Sequence, residues 1–184
     1  AVSVESNDGT LTLTVAEVNA LNQAMSKWTP PANMATITGG YDITDTAGAI
    51  EDAFTNTIQS FLVDAGTVTV TSGTVHLTVD EYKQLEDAGN LADTKDFAIV
   101  DTPAAINFGT INLADVGTVV AKLDATYDFT TDPTPNLAGV DSIDLNNFTA
   151  TMTAAQVDLV VVGSGTYTVL DTAGAIEAEV TDSS

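Results

Sequence analysis

Three aspartates stand in one register along this chain. Asp45, Asp101 and Asp171 each directly precede a threonine, in the segments Tyr41 to Ile50, Phe97 to Ile106 and Tyr167 to Ile176. A carboxylate placed just before a helix start has two uses. It accepts hydrogen bonds from backbone amides at the positive end of the helix dipole, or it serves as a hard oxygen ligand for Ca²⁺ alongside carbonyls and waters. Acidic pairs at Asp42/Asp45, Asp128/Asp132 and Asp141/Asp144, the last followed by Asn146 and Asn147, add further oxygen donors. The candidate calcium ligands are therefore Asp45, Asp101, Asp171, Asp141 and Asp144. None of these segments has the spacing of an EF-hand loop or of the glycine-rich nonapeptide of calcium-binding β-rolls.

Other chemistries lack raw material. The sequence Asp171-Thr172-Ala173-Gly174, with its twin at Asp45 to Gly48, also occurs in the switch region of small GTPases. That activity needs a GxxxxGK[ST] loop, and none of the four lysines follows a glycine. Aspartic proteases carry DTG, whereas here Ala47 or Ala173 is interposed. His76, the single histidine, alternates with Val75 and Leu77 and reads as the solvated side of a strand. With no cysteine and no second histidine, nucleophilic triads and the usual zinc sites have nothing to be built from. Paired-carboxylate glycosidase chemistry needs only two acids, and 26 are present. Trp28, beside Pro30 and Pro31, fits a sugar platform, a partner contact or the lid of a core. Asn147-Phe148-Thr149 matches a glycosylation sequon.

The elements that position these residues are visible as two alternating repeats. In the first, Leu13-Thr14-Val15-Ala16-Glu17-Val18 is followed by Leu77 to Tyr82, by a weaker copy at Ile111 to Val116, and by Met152 to Val157. Thr14, Thr78 and Thr153 are each followed three residues later by Glu or Gln. This is the capping box, with an apolar staple between the preceding residue and the fourth one on. Each cap opens a short amphipathic helix, and Leu13, Val18, Leu77, Tyr82, Met152 and Val157 are expected in the core. In the second repeat the caps are Thr46, Thr102, Asp132 and Thr172, with Pro103 and Pro133 at the first helical position. Alternating segments upstream of the caps read as strands, and 30 threonines favour strand wherever caps do not intervene.

One unit is thus strand, helix, strand, helical turn in roughly 35 to 40 residues. Strands joined by a helix crossover in one sheet pair parallel. The expected fold class is α/β, a single repeat domain over 1–184 with units at about 9–65, 66–108, 109–140 and 141–184, stacked as a solenoid-like domain. A β-rich sandwich with short helices is the alternative. The hydrophobic fraction of 44 % suffices for a core despite a net charge of −22. Four scattered lysines and no arginine leave nothing to neutralise phosphate, so nucleic acid and anionic membrane are excluded as partners. No apolar run approaches the ~18 residues that span a bilayer, so membrane insertion is excluded too. A chain beginning at Ala1 reads as processed or excised from something longer.

The recurring Y-x-[IV]-x-D-T-[AP]-x-A-I and L-T-[VA]-x-[EQ] units, in a Thr-rich, acidic, arginine-free and cysteine-free background, resemble the repeat modules of large secreted bacterial surface proteins of the adhesin-like or S-layer-like class. The resemblance covers most of residues 11–180. It implies a secreted or cell-surface setting, frequent calcium dependence, and a non-enzymatic role as spacer, coat or adhesive module. The partners it implies are other surface-protein repeats or a cell-surface ligand. Alternatives are a carboxylate-based carbohydrate-active enzyme and a halophilic coat protein whose acidity is solvent adaptation.

Overall fold

The structure, a computed structural model, describes residues 3–5, 10–26, 36–38, 40–56, 59–108, 111–131, 137–160 and 164–182. The expected cap Asp132 and the loop tryptophan Trp28 lie outside these residues. In chain order the elements are β1 (Ser3–Glu5), β2 (Leu11–Leu13), α1 (Val15–Ser26), β3 (Thr36–Thr38), β4 (Tyr41–Asp45), α2 (Ala47–Thr55), α3 (Gln59–Val63), β5 (Val68–Val70), β6 (Val75–Leu77), α4 (Val79–Ala88), β7 (Phe97–Asp101), α5 (Pro103–Phe108), β8 (Thr118–Lys122), β9 (Tyr127–Asp128), β10 (Ser142–Asp144), β11 (Thr149–Met152), β12 (Thr166–Val169) and α6 (Ala173–Asp182). Short 3₁₀ turns occupy Thr94–Asp96, Leu113–Asp115 and Ala154–Leu159. The chain divides into two compact units, Ala1–Phe97 and Ala98–Ser184.

In the first unit β2, β4 and β5 form a parallel sheet in the order β2-β4-β5, and β1 pairs parallel with β3. The strand–helix–strand expectation holds here, since α1 lies between β2 and its parallel neighbour β4. Helix α2 packs against α1, α3 and β6, and α3 packs against α4. Thr14 and Thr78 each make the full capping box. The Thr14 hydroxyl accepts from the Glu17 amide at 3.2 Å while Glu17 Oε2 accepts from the Thr14 amide at 2.8 Å. The corresponding distances at Thr78 and Glu81 are 3.3 and 2.8 Å. Gly89 ends α4 in the left-handed region at φ 70°, where glycine avoids the Cβ clash other residues meet. The staple residues Leu13, Val18, Leu77 and Tyr82 are buried together with Ile43, Ile50, Leu62, Val68 and Leu85. Phe97 meets the Tyr82 ring edge-on at 6.3 Å.

The buried polar residue of this unit is Asn90. Its side-chain amide donates to the carbonyls of Leu62 and Val63 in the last turn of α3 and of Ala65 just beyond it, where helical partners run out. Its backbone carbonyl accepts from Val68 at 2.6 Å, so one residue ties the end of α3 to β5.

In the second unit β7, β8 and β10 pair parallel, as do β9, β11 and β12 in the order β12-β11-β9. Parallel sheets with interspersed helices place the chain in the mixed α/β class rather than with antiparallel sandwiches, and none of the sheets closes into a barrel among the described residues. Ile99, Val119, Ala121, Leu123, Ile143, Phe129, Ala150 and Met152 are buried.

Two first-repeat copies differ from expectation. At Asn112 the side chain bonds the Asp115 carboxylate at 2.6 Å instead of a backbone amide, and the segment makes a single 3₁₀ turn. Strand β8 starts three residues later, leaving no length for an α-turn. At Thr153 the Gln156 side-chain oxygen Oε1 accepts from the cap amide at 2.8 Å, but the segment winds as 3₁₀ and Val157 is half-buried rather than buried. The turn ends at Val160, which makes an isolated parallel bridge with Ile143.

Candidate functional site

The Asp–Thr junctions are built by strand register. Leu13 pairs with Ile43 across β2 and β4, so two residues further on Asp45 stands opposite Val15, the first residue of α1. Met152 pairs with Val169 across β11 and β12, so Asp171 stands opposite Ala154 in the same way. At that position each carboxylate bonds two backbone amides. Asp45 Oδ2 accepts from Val15 at 3.0 Å and Oδ1 from its own neighbour Thr46 at 2.8 Å. Asp171 accepts from Ala154 at 3.1 Å and from Thr172 at 2.7 Å. Asp101 accepts from Thr102 at 2.7 Å. Behind each, the threonine hydroxyl caps the next turn, accepting from Ala49, Ala105 and Ala175 at 3.4, 3.2 and 3.3 Å. One carboxylate thus ties the end of its own strand to the helical start on the neighbouring strand, and places negative charge where amide dipoles are unsatisfied.

The other two candidate calcium residues also bind backbone. Asp141 Oδ2 accepts from Val119 at 2.7 Å, and the Asp141 amide donates to the Val119 carbonyl at 2.9 Å. Asp144 accepts from the Asn146 amide at 2.9 Å, and Asn146 in turn donates from its side chain to the Leu123 carbonyl at 2.8 Å. Asn146 and Asn147 hold φ of 46° and 69°, a left-handed turn that asparagine tolerates. Asp45, Asp101, Asp171, Asp141 and Asp144 are not brought together, and among the described residues no three His, Cys, Asp or Glu side chains converge as a metal site would require.

An open recess of about 260 Å³ lies in the second unit, lined by Val100, Asp101, Thr102, Lys122, Leu123, Asp124 and Asn146. These residues sit at the carboxyl ends of β7 and β8 and just past β10, the edge where parallel α/β sheets receive ligands. Sequence reasoning missed Lys122 and Asp124, which carry no motif, and nothing along the chain marks the strand ends as neighbours.

Hydrogen bonding and burial set the local electrostatics. Glu17 is held below the usual carboxylate range by the Thr14 amide and hydroxyl, and Asp128 by the Thr130 hydroxyl and amide with further help from Thr131. Burial, reinforced by nearby Asp64, pushes the Tyr41 phenol up to about 12. Its hydroxyl donates to the Phe61 carbonyl at 2.7 Å. His76 is exposed as its alternation implies, and its Nδ1 lies 2.9 Å from Glu51 Oε1. No helix among the described residues is long and apolar enough to cross a membrane. Compared with known protein families, curated proteins and solved structures, the chain matches none.

Proposed function

We propose that this chain is a non-enzymatic structural or adhesive repeat module of a secreted or surface-attached bacterial protein, with its strand–helix units stacked in a solenoid-like array. The observation that carries this reading is that the most strongly repeated polar residues, the aspartates of the Asp–Thr junctions, bond backbone amides in the same way at Asp45 and Asp171. Repeated chemistry directed at the chain's own backbone serves an architecture rather than a pocket. The high negative charge keeps such a surface soluble, and its partners are other surface repeats or a cell-surface ligand. On this reading the recurrent aspartates are clamps, and calcium, where it acts, acts on the outer carboxylates.

Thermal unfolding under titration with Ca²⁺, with Mg²⁺ and NaCl at matched ionic strength as controls, tests the clamp assignment. A ligand bound only by the folded state stabilises by about 2.7 kcal/mol at a hundredfold excess over Kd, so specific sites register clearly. The expected result is a calcium response no larger than the ionic-strength controls. A saturable, calcium-selective rise would reassign the aspartates as ligands and make calcium the rigidifying element. Stability climbing steadily with NaCl would favour a halophilic coat protein. Pulling the chain from its ends tests the stacking, which predicts release in steps of one or a few units; a single all-or-none event would oppose it.

The recess supports a second reading, a carboxylate-based carbohydrate-active enzyme, because Asp101 and Asp124 line one opening. Glycan hydrolysis abolished by Asp124→Asn with the fold intact would establish it.

A further inference from the structure

Two of the Asp–Thr junctions share a strand register and differ in how they close. Asp45 stands opposite Val70 across β4 and β5, and Asp101 opposite Ala121 across β7 and β8. Counting on from those pairs, Thr71, Ser72 and Gly73 correspond to Lys122, Leu123 and Asp124. Ala47, the first residue of α2, likewise corresponds to Pro103, the first of α5. In the first junction the Ala47 amide donates to the Ser72 carbonyl at 3.0 Å. Gly73, at φ 81°, lies so near that a Cβ on it would meet the Ala47 Cβ at 3.1 Å. The chain leaving β5 is thereby drawn over the start of α2.

In the second junction Pro103 has no amide hydrogen to give. The Leu123 carbonyl accepts from the Asn146 side chain at 2.8 Å instead, which ties the chain leaving β8 to the turn after β10. The recess of about 260 Å³ opens here, between Asp101 and Thr102 on one side and Lys122, Leu123 and Asp124 on the other. The change is chemical as well as steric. Lys122 and Asp124, charged where the closed junction has threonine and glycine, flank buried Leu123 and are both exposed, and Lys122 is the one basic residue of the second unit. Among the described residues the Lys122 ammonium, the Asp124 carboxylate and the Asn146 side-chain oxygen have no hydrogen-bond or ion-pair partner. The Thr102 hydroxyl accepts from Ala105 at 3.2 Å and keeps its own proton to donate. At about 30 Å³ per water the recess holds about nine waters, the room of a small molecule.

We infer that this recess is a binding site for a free α-amino acid with a small aliphatic side chain. The ligand carboxylate meets Lys122 and the Thr102 hydroxyl, its ammonium meets Asp124 and the Asn146 oxygen, and its side chain lies against Val100. Charge selects this class over its rivals. A chain of net charge −22 repels a free anion, and a free cation leaves Lys122 without a counter-charge. A neutral sugar sets only hydroxyls against two charged groups. A zwitterion adds no net charge and answers both. The inference does not rest on the surface-module reading, since it concerns one junction that departs from the repeat.

Titration of the ¹⁵N-labelled chain with L-valine, followed by amide NMR, tests it. Isovalerate, which lacks the ammonium, valinamide, which lacks the carboxylate, and glucose are the comparison probes. L-valine is expected to give saturable shifts at the amides of Val100 to Thr102, Lys122 to Asp124 and Asn146, with a Kd on the order of 1 mM or below. Isovalerate and valinamide each bind about tenfold more weakly or worse. Lys122→Met and Asp124→Asn, both at exposed positions, each raise the Kd for L-valine about tenfold while the rest of the spectrum stays in place. The absence of shifts at about 10 mM L-valine overturns the inference. So does equal binding of either half-ligand, and so does an affinity that neither substitution changes. Glucose shifting these amides in preference to L-valine also overturns it and favours the carbohydrate reading of the recess.

Discussion

Replacing Asp45 by asparagine removes one charge and keeps the side chain's shape. In the folded chain Asp45 accepts two backbone N–H groups, from Val15 at 3.0 Å and Thr46 at 2.8 Å. An asparagine offers one acceptor and one donor, so one of those amides faces an N–H group instead of an oxygen. Hydrogen bonds to a charged acceptor contribute about 1.5–3 kcal/mol each when buried. The junction is only part-buried, so Asp45→Asn is expected to cost about 1–2 kcal/mol and Asp45→Ala about 2–3 kcal/mol. The control is Asp52→Asn on the exposed face of α2, which makes the same charge change without the same bonds. In a chain of net charge −22 that change is neutral or slightly stabilising, because it relieves self-repulsion. Urea unfolding with EDTA present gives the two free energies, and amide exchange at Val15 reports the clamp directly. The expected signature is lower stability for Asp45→Asn than for Asp52→Asn, with faster exchange at Val15. Equal stabilities and an unchanged Val15 amide would refute the clamp. A cost seen only in added calcium would make Asp45 a ligand instead.

Thr78→Ala should cost about 0.5–2 kcal/mol by removing the α4 cap, and Thr78→Ala with Glu81→Ala little more, since the two form one box; strictly additive losses in urea titrations would contradict that coupling. Asn90→Asp should destabilise more than Asn90→Ala, because it sets a carboxylate against the carbonyls of Leu62, Val63 and Ala65; a cost of about 1–3 kcal/mol for the alanine variant is expected, with the order of the two read by thermal melting. The Tyr41 phenol, raised to about 12 in the fold, ionises more easily once unfolded, so stability declines as pH rises from about 10 towards 12, and Tyr41→Phe should flatten that decline in alkaline unfolding curves. Glu17, held below the usual range, has the opposite sign: its contribution is present above its unfolded value and fades as pH falls through the folded one, so Glu17→Gln should reduce the acid dependence of unfolding.

The capping boxes at Thr14 and Thr78, the hydroxyl caps at Thr46, Thr102 and Thr172, and the exposed side of β6 at His76 were all legible along the chain. Each depends on residues within one helical turn or one strand pleat, where spacing alone brings donor to acceptor. Parallel pairing of β2 with β4 and of β11 with β12 was legible for a related reason, since the connecting segment leaves few alternatives. The role of Asp45 was not legible beyond a choice between cap and ligand. Its second partner, Val15, lies 30 residues away and comes within 3.0 Å only through the register of two strands. The same holds for Asn90, whose amide finds the end of α3 across 25 to 28 residues, and for the recess, whose lining comes from three separate strand ends. Tyr41 and Tyr167 make the limit plainest, because near-identical segments end as core and as surface. Local sequence determined what each segment could become. The neighbours supplied by tertiary structure decided which carboxylates became clamps and which apolar face was left open, because burial and long-range hydrogen bonds belong to pairs of segments.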